Sequence, residues 1–287
     1  MMKKILLAIV LLVVFAQTGF VQDCRTFSCT APYDLTSGFS RFVSSATGQN
    51  FVSERITESV IKKAIKKKIQ SGDIKVKLDS FSTRDLKAGR FKSFEVTAEN
   101  VNIEGVYVSY FNAKTLCDFN YLTHDEKNHY TVKENIPLSF TSVITEDDLN
   151  NTMNSSDYKR LMNDFNSIGG ICNLFKITST SVKLENGKMY YIVKYALPFM
   201  RQSKKVVISA DINVANGRII LDNAAYEGNH TSTEIDTFSS LLNYINPLDF
   251  SAKILENKDA KFSVKNVKIT DGKIFVDGRI TVLKDEE

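Results

Sequence analysis

Apolar positions along this chain fall into three rhythms, and each predicts a different kind of element. From Ile5 to Ala16 they run unbroken for twelve residues behind the basic start Met1–Lys4. That is the h-region of a signal peptide and falls short of the roughly 20 apolar residues that span a bilayer. Val14-Phe15-Ala16 predicts cleavage after Ala16. The rival readings are a lipoprotein cut before Cys24, which Val21-Gln22-Asp23 disfavours, and an uncleaved anchor. Residues 17–52 are polar and read as a flexible lead-in. A helical rhythm follows over 53–71, with Ile56, Val60, Ile61, Ala64, Ile65 and Ile69 as its apolar stripe, a lysine-rich opposite face and Gly72 as its stop.

Beyond Gly72 the period drops to two. Ile74/Val76/Leu78, Phe94/Val96/Ala98 and Val106/Val108/Tyr110 alternate with polar residues and predict strands buried on one face. Thr145 and the acids behind it predict a helix start. Leu149, Met153, Leu161, Met162, Phe165 and Ile168 carry that helix to Gly169-Gly170, with a break near Ser155. Strands return at 189–197 and 206–214. A third helix is predicted over 233–244, closed by Pro247, and the last strands lie near 262–269, 273–277 and 279–282. Two internal parallels stand out. Ile56–Ile61 resembles Ile144–Leu149, and Val182–Met189 resembles Val267–Ile274 with Asn-Gly and Asp-Gly at equivalent turns. The expected fold class is α+β, a long twisted antiparallel sheet curved around amphipathic helices, with an internal duplication as one reading. Residues 53–287 are expected to form a single domain.

Composition narrows the function. The chain has 37 basic and 33 acidic residues, and loss of Lys3 and Lys4 leaves a formal charge of +2 (35 against 33), which calls for no nucleic-acid partner. Cys24, Cys29, Cys117 and Cys172 are even in number, as for two disulfides in an oxidising compartment, and the expected pairing is Cys24–Cys29 with Cys117–Cys172. They lack zinc-ligand spacing. His124, His129 and His230 belong to no catalytic motif, and the small cluster His124-Asp125-Glu126 with His129 reads as a solvated loop. No catalytic residue, metal or cofactor is assigned, and the chain is expected not to be an enzyme. Lys62, Lys63, Lys66, Lys67 and Lys68 read either as a solvated face or as a patch for anionic lipid headgroups.

Four stretches, in this order, resemble one family. They are Ile56-Thr57-Glu58; Ser80-Phe81 with Leu86, Gly89-Arg90-Phe91 and Phe94–Ala98; Thr145–Asn150; and Leu241–Leu248 followed by Val267-Lys268-Ile269 and the Asp271-Gly272 turn. Over roughly residues 54–283 the chain is similar to the LmeA-like phospholipid-binding family of extracytoplasmic bacterial proteins. Ser82 departs from it, standing where proline is frequent. The resemblance implies a kinship with tubular lipid-binding folds, and binding of a phospholipid or other acyl-chain ligand in an apolar groove of the cell envelope, with peripheral membrane contact and a role in lipid transfer. Ile61, Ile65, Val108, Tyr110, Tyr191 and Val193 are the expected groove residues, with ordinary core as the plainer reading of each. Lys62, Lys63, Lys66 and Lys67 are the expected headgroup residues. The alternative function is a non-catalytic adaptor of the envelope that binds a protein partner.

Overall fold

The computed structural model describes residues 29, 34–46, 48–124, 130–170, 176–197, 202–227, 242, 245–248, 250–251, 260–270 and 272–285. The predicted signal peptide, residues 125–129 of the histidine loop, Cys24, Cys172 and most of the third helix lie outside these residues. Two helices come first, α1 (Gly38–Ala46) and α2 (Gln49–Lys66), joined at Gly48 in the left-handed region. The strands β1 (Ser71–Asp79), β3 (Ser93–Ile103), β4 (Val106–Thr115) and β7 (Ile136–Thr145) follow, with the short α3 (Thr83–Lys87), β2 (Arg90–Phe91), β5 (Asn120–His124) and β6 (Tyr130–Val132) between them. Next come α4 (Glu146–Met153), α5 (Ser156–Gly170) and the strands β8 (Lys176–Glu185), β9 (Lys188–Ala196), β10 (Lys204–Ala215) and β11 (Arg218–Tyr226). The last two strands are β12 (Ala260–Thr270) and β13 (Lys273–Val282). The result is the expected α+β architecture with antiparallel pairing throughout.

The strands divide into a six-stranded sheet, β1-β3-β4-β7-β13-β12, a four-stranded sheet, β11-β10-β9-β8, and a small β2-β5-β6 sheet. Alternation builds each strand: Phe94, Val96 and Ala98 of β3, and Met189, Tyr191 and Val193 of β9, are all buried. The buried side chains of both large sheets belong to one continuous apolar cluster. Tight turns with two positive φ angles close three hairpins, at Glu104-Gly105, Asn186-Gly187 and Asn216-Gly217. These are the turns that match strand twist. At Gly278, in the middle of β13, a Cβ would stand 2.3 Å from the Ser263 carbonyl oxygen and 2.8 Å from the Phe140 ring, so only glycine lets β12 and β7 approach there.

Each large sheet has its open edge covered by a helix, and side chains do the covering. On α2, Asn50 accepts from Thr83 N–H at 2.9 Å, Glu54 from Ser80 N–H at 2.7 Å and Glu58 from Leu78 N–H at 2.9 Å. These three residues lie four apart, so they share one helix face. They satisfy one donor of the edge strand β1, Leu78, and two just beyond it, Ser80 and Thr83 at the start of α3. On α4 the device is doubled. Glu146 and Asn150 accept from Leu184 and Val182 N–H of the edge strand β8, both at 2.9 Å. Asp148 and Thr152 accept from Ser109 and Tyr107 N–H of β4, at 2.9 and 3.0 Å, where β4 has run past the end of β7. Asn166 of α5 continues the cover by pairing both N–H and C=O of Ile177. The α4 helix therefore stands between the two sheets in the place of a strand. A helix covering the first strand of each sheet is a shared plan, as the internal parallel hinted. The geometric partners are Glu54 with Glu146 and Glu58 with Asn150, however, four residues out of step with the sequence alignment of Glu58 on Glu146.

Several expectations are corrected. The disulfide joins Cys29 to Cys117, which excludes both Cys24–Cys29 and Cys117–Cys172. Closeness in sequence is a poor guide here because the N-terminal segment crosses to the loop after β4. The segment expected to be flexible up to residue 52 contains α1 and the start of α2. Gly72 does not stop α2, which ends at Lys66. Gly72 lies in β1 with φ 112°, where a Cβ would meet the Val101 Cα at 2.7 Å. Pro247 opens a helical turn, and the third helix that it is expected to close lies, apart from residue 242, outside the described residues. Asn246 caps that turn through the Leu248 N–H at 3.0 Å, and proline needs no N–H partner at a first helical position. The segments 273–277 and 279–282 are one strand.

Ser82, the departure from the resemblance, caps α3 with φ −161°, an angle that proline does not adopt. Its hydroxyl donates to Asp85 at 2.6 Å, and Thr36 donates to the same carboxylate through its N–H at 3.0 Å and its hydroxyl at 2.8 Å. The Arg90 guanidinium donates to the Asp34 carbonyl, a second tie on this segment. Burial alone would raise the Asp85 pKa, but these donors and the nearby Arg90 charge hold it below its ordinary value. The tie is therefore complete above about pH 4, where an unfolded aspartate is ionised, and is lost as pH falls through the folded pKa. Amide exchange at Thr36 is expected to accelerate on acidification below that point, and an Asp85→Ala variant is expected to show the fast exchange at neutral pH.

Candidate functional site

The six expected groove residues fall on three elements. Ile61 and Ile65 lie on the inward side of α2, where Ile65 is buried and Ile61 is half-buried against the apolar cluster. Val108 and Tyr110 share one face of β4, Val108 buried and Tyr110 half-buried. Tyr191 and Val193 are buried on β9 of the other large sheet. Ile65, Val108, Tyr191 and Val193 join a single apolar interior, which therefore reaches from α2 and the six-stranded sheet into the four-stranded one.

Tyr191 has a role of its own. It is fully buried, and its hydroxyl, the Tyr158 hydroxyl and the Ile245 carbonyl form a triangle in which the two phenol protons serve three contacts, with the carbonyl oxygen 3.0 Å from Tyr191 and 2.6 Å from Tyr158. Phe250 sits edge-on to the Tyr158 ring at 5.1 Å. Burial pushes both phenols above their ordinary pKa, and for Tyr191 the neighbouring Tyr158 adds to the rise. Both therefore stay protonated at neutral pH. They fasten the 245–251 turn to α5 and β9. Tyr158 escaped sequence reading because a tyrosine in a helix looks like packing, and Ile245 is legible as part of the family-like stretch Leu241–Leu248 but not as a partner, since a backbone acceptor leaves no trace in residue type.

The expected headgroup residues Lys62, Lys63, Lys66 and Lys67 all lie at the C-terminal end of α2. Lys63, Lys66 and Lys67 are exposed, and Lys66 approaches Asp73 at 3.8 Å, a solvent-screened pair of little energetic weight.

The N-terminal part of α2 runs against the usual amphipathic rule. Its polar residues Asn50, Glu54 and Glu58 face the sheet, and Phe51, Val52, Ile56 and Val60 face outward, between 54% and 61% exposed. Phe39 and Phe42 of α1 are more exposed still, at 79% and 70%. The stripe read from sequence as inward is thus inward only from Ile61 onward. Three-residue spacing of Phe39 and Phe42 was the available signal for α1, hidden by the polar composition around it. Among the described residues no helix is long and apolar enough to cross a membrane, and no His/Cys/Asp/Glu group is arranged to hold a metal.

Residues 48–279 match the sequence model of a family described as LmeA-like phospholipid-binding. No curated protein and no solved structure matches the chain.

Proposed function

The chain belongs to the LmeA-like phospholipid-binding family, and from that premise we propose that it carries phospholipid between membranes outside the cytoplasm. The family match, which spans both large sheets, is the observation that carries this reading. Phospholipid binding is what the family description states. Transfer and location are the further steps. The Cys29–Cys117 disulfide supports an oxidising, extracytoplasmic setting. The apolar interior supports acyl-chain binding by its chemistry. Withdrawing a chain of roughly 16 carbons from water is worth on the order of 10 kcal/mol, at about 0.8 kcal/mol per CH₂, before the costs of association. Binding of this kind makes and breaks no covalent bond, so the proposal assigns no catalytic residue. Acyl chains lie between α2 and the six-stranded sheet, with Ile61 at the margin and Ile65 and Val108 deeper, and the lysines of α2 near the headgroup.

Native mass spectrometry of the chain purified from its envelope fraction, followed by solvent extraction, tests the reading. A phospholipid bound in stoichiometric amount is expected. A chain that emerges empty, and stays empty when offered liposomes, would count against carriage and favour an adaptor that binds protein. Ile61→Glu is the sharper probe. A glutamate there can turn toward water, so the unfolding midpoint should change little. A carboxylate beside the acyl chain is costly to desolvate, and lipid occupancy is expected to fall about tenfold or more. Undiminished occupancy would remove Ile61 from the binding path.

A further inference from the structure

Six of the eight exposed large hydrophobic residues among those described lie on the α1–α2 hairpin, namely Phe39, Phe42, Phe51, Val52, Ile56 and Val60. We propose that this hairpin docks the protein on an anionic phospholipid bilayer, with these six side chains in the headgroup–acyl boundary and the lysines at the end of α2 at headgroup level.

The surface is built into the fold and is not a frayed end. Asn50, Glu54 and Glu58 hold α2 against the β1 edge with the apolar side outward. The segment leading into α1 is tied down by the Cys29–Cys117 bond and by Thr36 on Asp85. The hairpin therefore cannot roll to bury its phenylalanines without breaking these bonds. Apolar side chains concentrated on one hairpin and kept exposed in this way mark an interaction site.

Charge selects the partner. The α1 segment has no acidic residue, and both acids of α2, Glu54 and Glu58, are turned inward onto backbone N–H groups. Val52, Ile56 and Val60 are spaced four apart, and Lys63 and Lys67 extend the same stripe. Arg55 lies over the Phe51 ring at 5.1 Å. An outward face of phenylalanine and branched aliphatic residues that gives way to lysine, with no carboxylate on it, fits the surface of an anionic bilayer. The choice of lipid over protein rests on the phospholipid-carrier reading, and it deepens that reading. The side chain after the exposed stripe, Ile61, turns inward to the apolar interior. Docking on this face would bring the margin of the proposed acyl-chain path to the membrane.

Vesicle flotation of the disulfide-bonded chain tests the proposal, with phosphatidylglycerol–phosphatidylcholine vesicles set against phosphatidylcholine alone. The parent is expected to float with the anionic vesicles. Phe39→Ser/Phe42→Ser/Ile56→Ser should lower partitioning about tenfold or more on both vesicle types. Lys63→Gln/Lys67→Gln should lower it about fivefold per lysine on anionic vesicles and leave neutral ones unchanged. These side chains are exposed, so both variants should keep the parent's unfolding midpoint. Flotation indifferent to the apolar changes would overturn the proposal, as when binding is due to the apolar run at residues 5–16. So would a non-floating parent that sedimentation shows to be a dimer split by the same changes, since the face would then cover a second copy. Native mass spectra of the same samples read the cargo separately. Lipid held by a chain that never floats overturns docking and leaves carriage standing, whereas flotation without cargo supports docking and tells against carriage.

Discussion

Replacing Cys29 and Cys117 together by serine is expected to lower the unfolding free energy by on the order of 4 kcal/mol. The bond closes a loop of 88 residues in sequence separation, and the chain-entropy relation for a loop of that length gives about 4–5 kcal/mol. Native contacts at the site are modest and do not alter that figure much. Cys117 is buried, and its carbonyl accepts from the Asn120 amide at 2.9 Å, a bond that serine at 117 leaves intact. Urea unfolding of the double variant against the parent measures the loss, and mild reduction of the parent should reproduce it. Peptide mapping of the oxidised parent should recover a Cys29–Cys117 linkage. A variant that unfolds at the parent midpoint with unchanged amide exchange over 38–60, and a parent that yields no such linkage, would show that the bond does not form in the folded protein. A loss confined to the first helices, read as fast amide exchange over 38–60 with an unmoved global midpoint, would show the bond to be a local tether.

The legible and illegible parts of this fold divide along a physical line. Alternating strands, such as β1, β9 and the first half of β3, were readable, because period two places every second side chain in the interior. So were the break between α4 and α5 and the capping chemistry of Thr145. β7 was not, since it carries Pro137 and buries the polar Ser142 beside Phe140 and Ile144. β8 was not either, because its first half, Lys176–Ser181, is mostly polar and lies at the edge of its sheet, with β9 on one side and Asn166 of a helix, not a second strand, bonding Ile177 on the other. The reversed face of α2 was invisible for the same reason. Only the unpaired N–H groups of Leu78 and Ser80 make it better to turn Glu54 and Glu58 inward and Ile56 and Val60 outward, and those groups are set by the sheet order. The groove residues were legible as interior positions. Which interior positions meet ligand is a question of shape, and residue type does not encode it.

The stretch Thr145–Asn150 drew notice as a family-like motif, and its residues serve the joint between the sheets. Asp148 is the centre of that joint. One oxygen, Oδ2, accepts from Thr145 N–H at 2.8 Å, Ser109 N–H at 2.9 Å and the Ser109 hydroxyl at 2.6 Å. Its own N–H donates to the Thr145 hydroxyl at 3.1 Å, completing a capping box. Asp148→Ala is therefore expected to cost roughly 3 kcal/mol. Loss of half the capping box accounts for about 1 kcal/mol. The stranded donors of Ser109 and Thr145, both half-buried, supply the rest at about 1 kcal/mol or more each. Asp148→Asn is expected to recover most of the loss, since an amide oxygen can occupy the same position, and Asp147→Ala, on the exposed neighbour, should change stability by less than about 0.5 kcal/mol. The measurement is urea unfolding of the three variants. A full-sized loss at Asp147, or none at Asp148, would mean that helix-dipole charge rather than the strand-like joint holds α4 in place. The joint also predicts where the damage spreads. Because α4 pairs with β4 on one side and β8 on the other, Asp148→Ala should speed amide exchange at Leu184 and Val182, which it never touches, along with Ser109. Exchange limited to Ser109 would show the two sheets to be held independently, with α4 packed beside them rather than joining them.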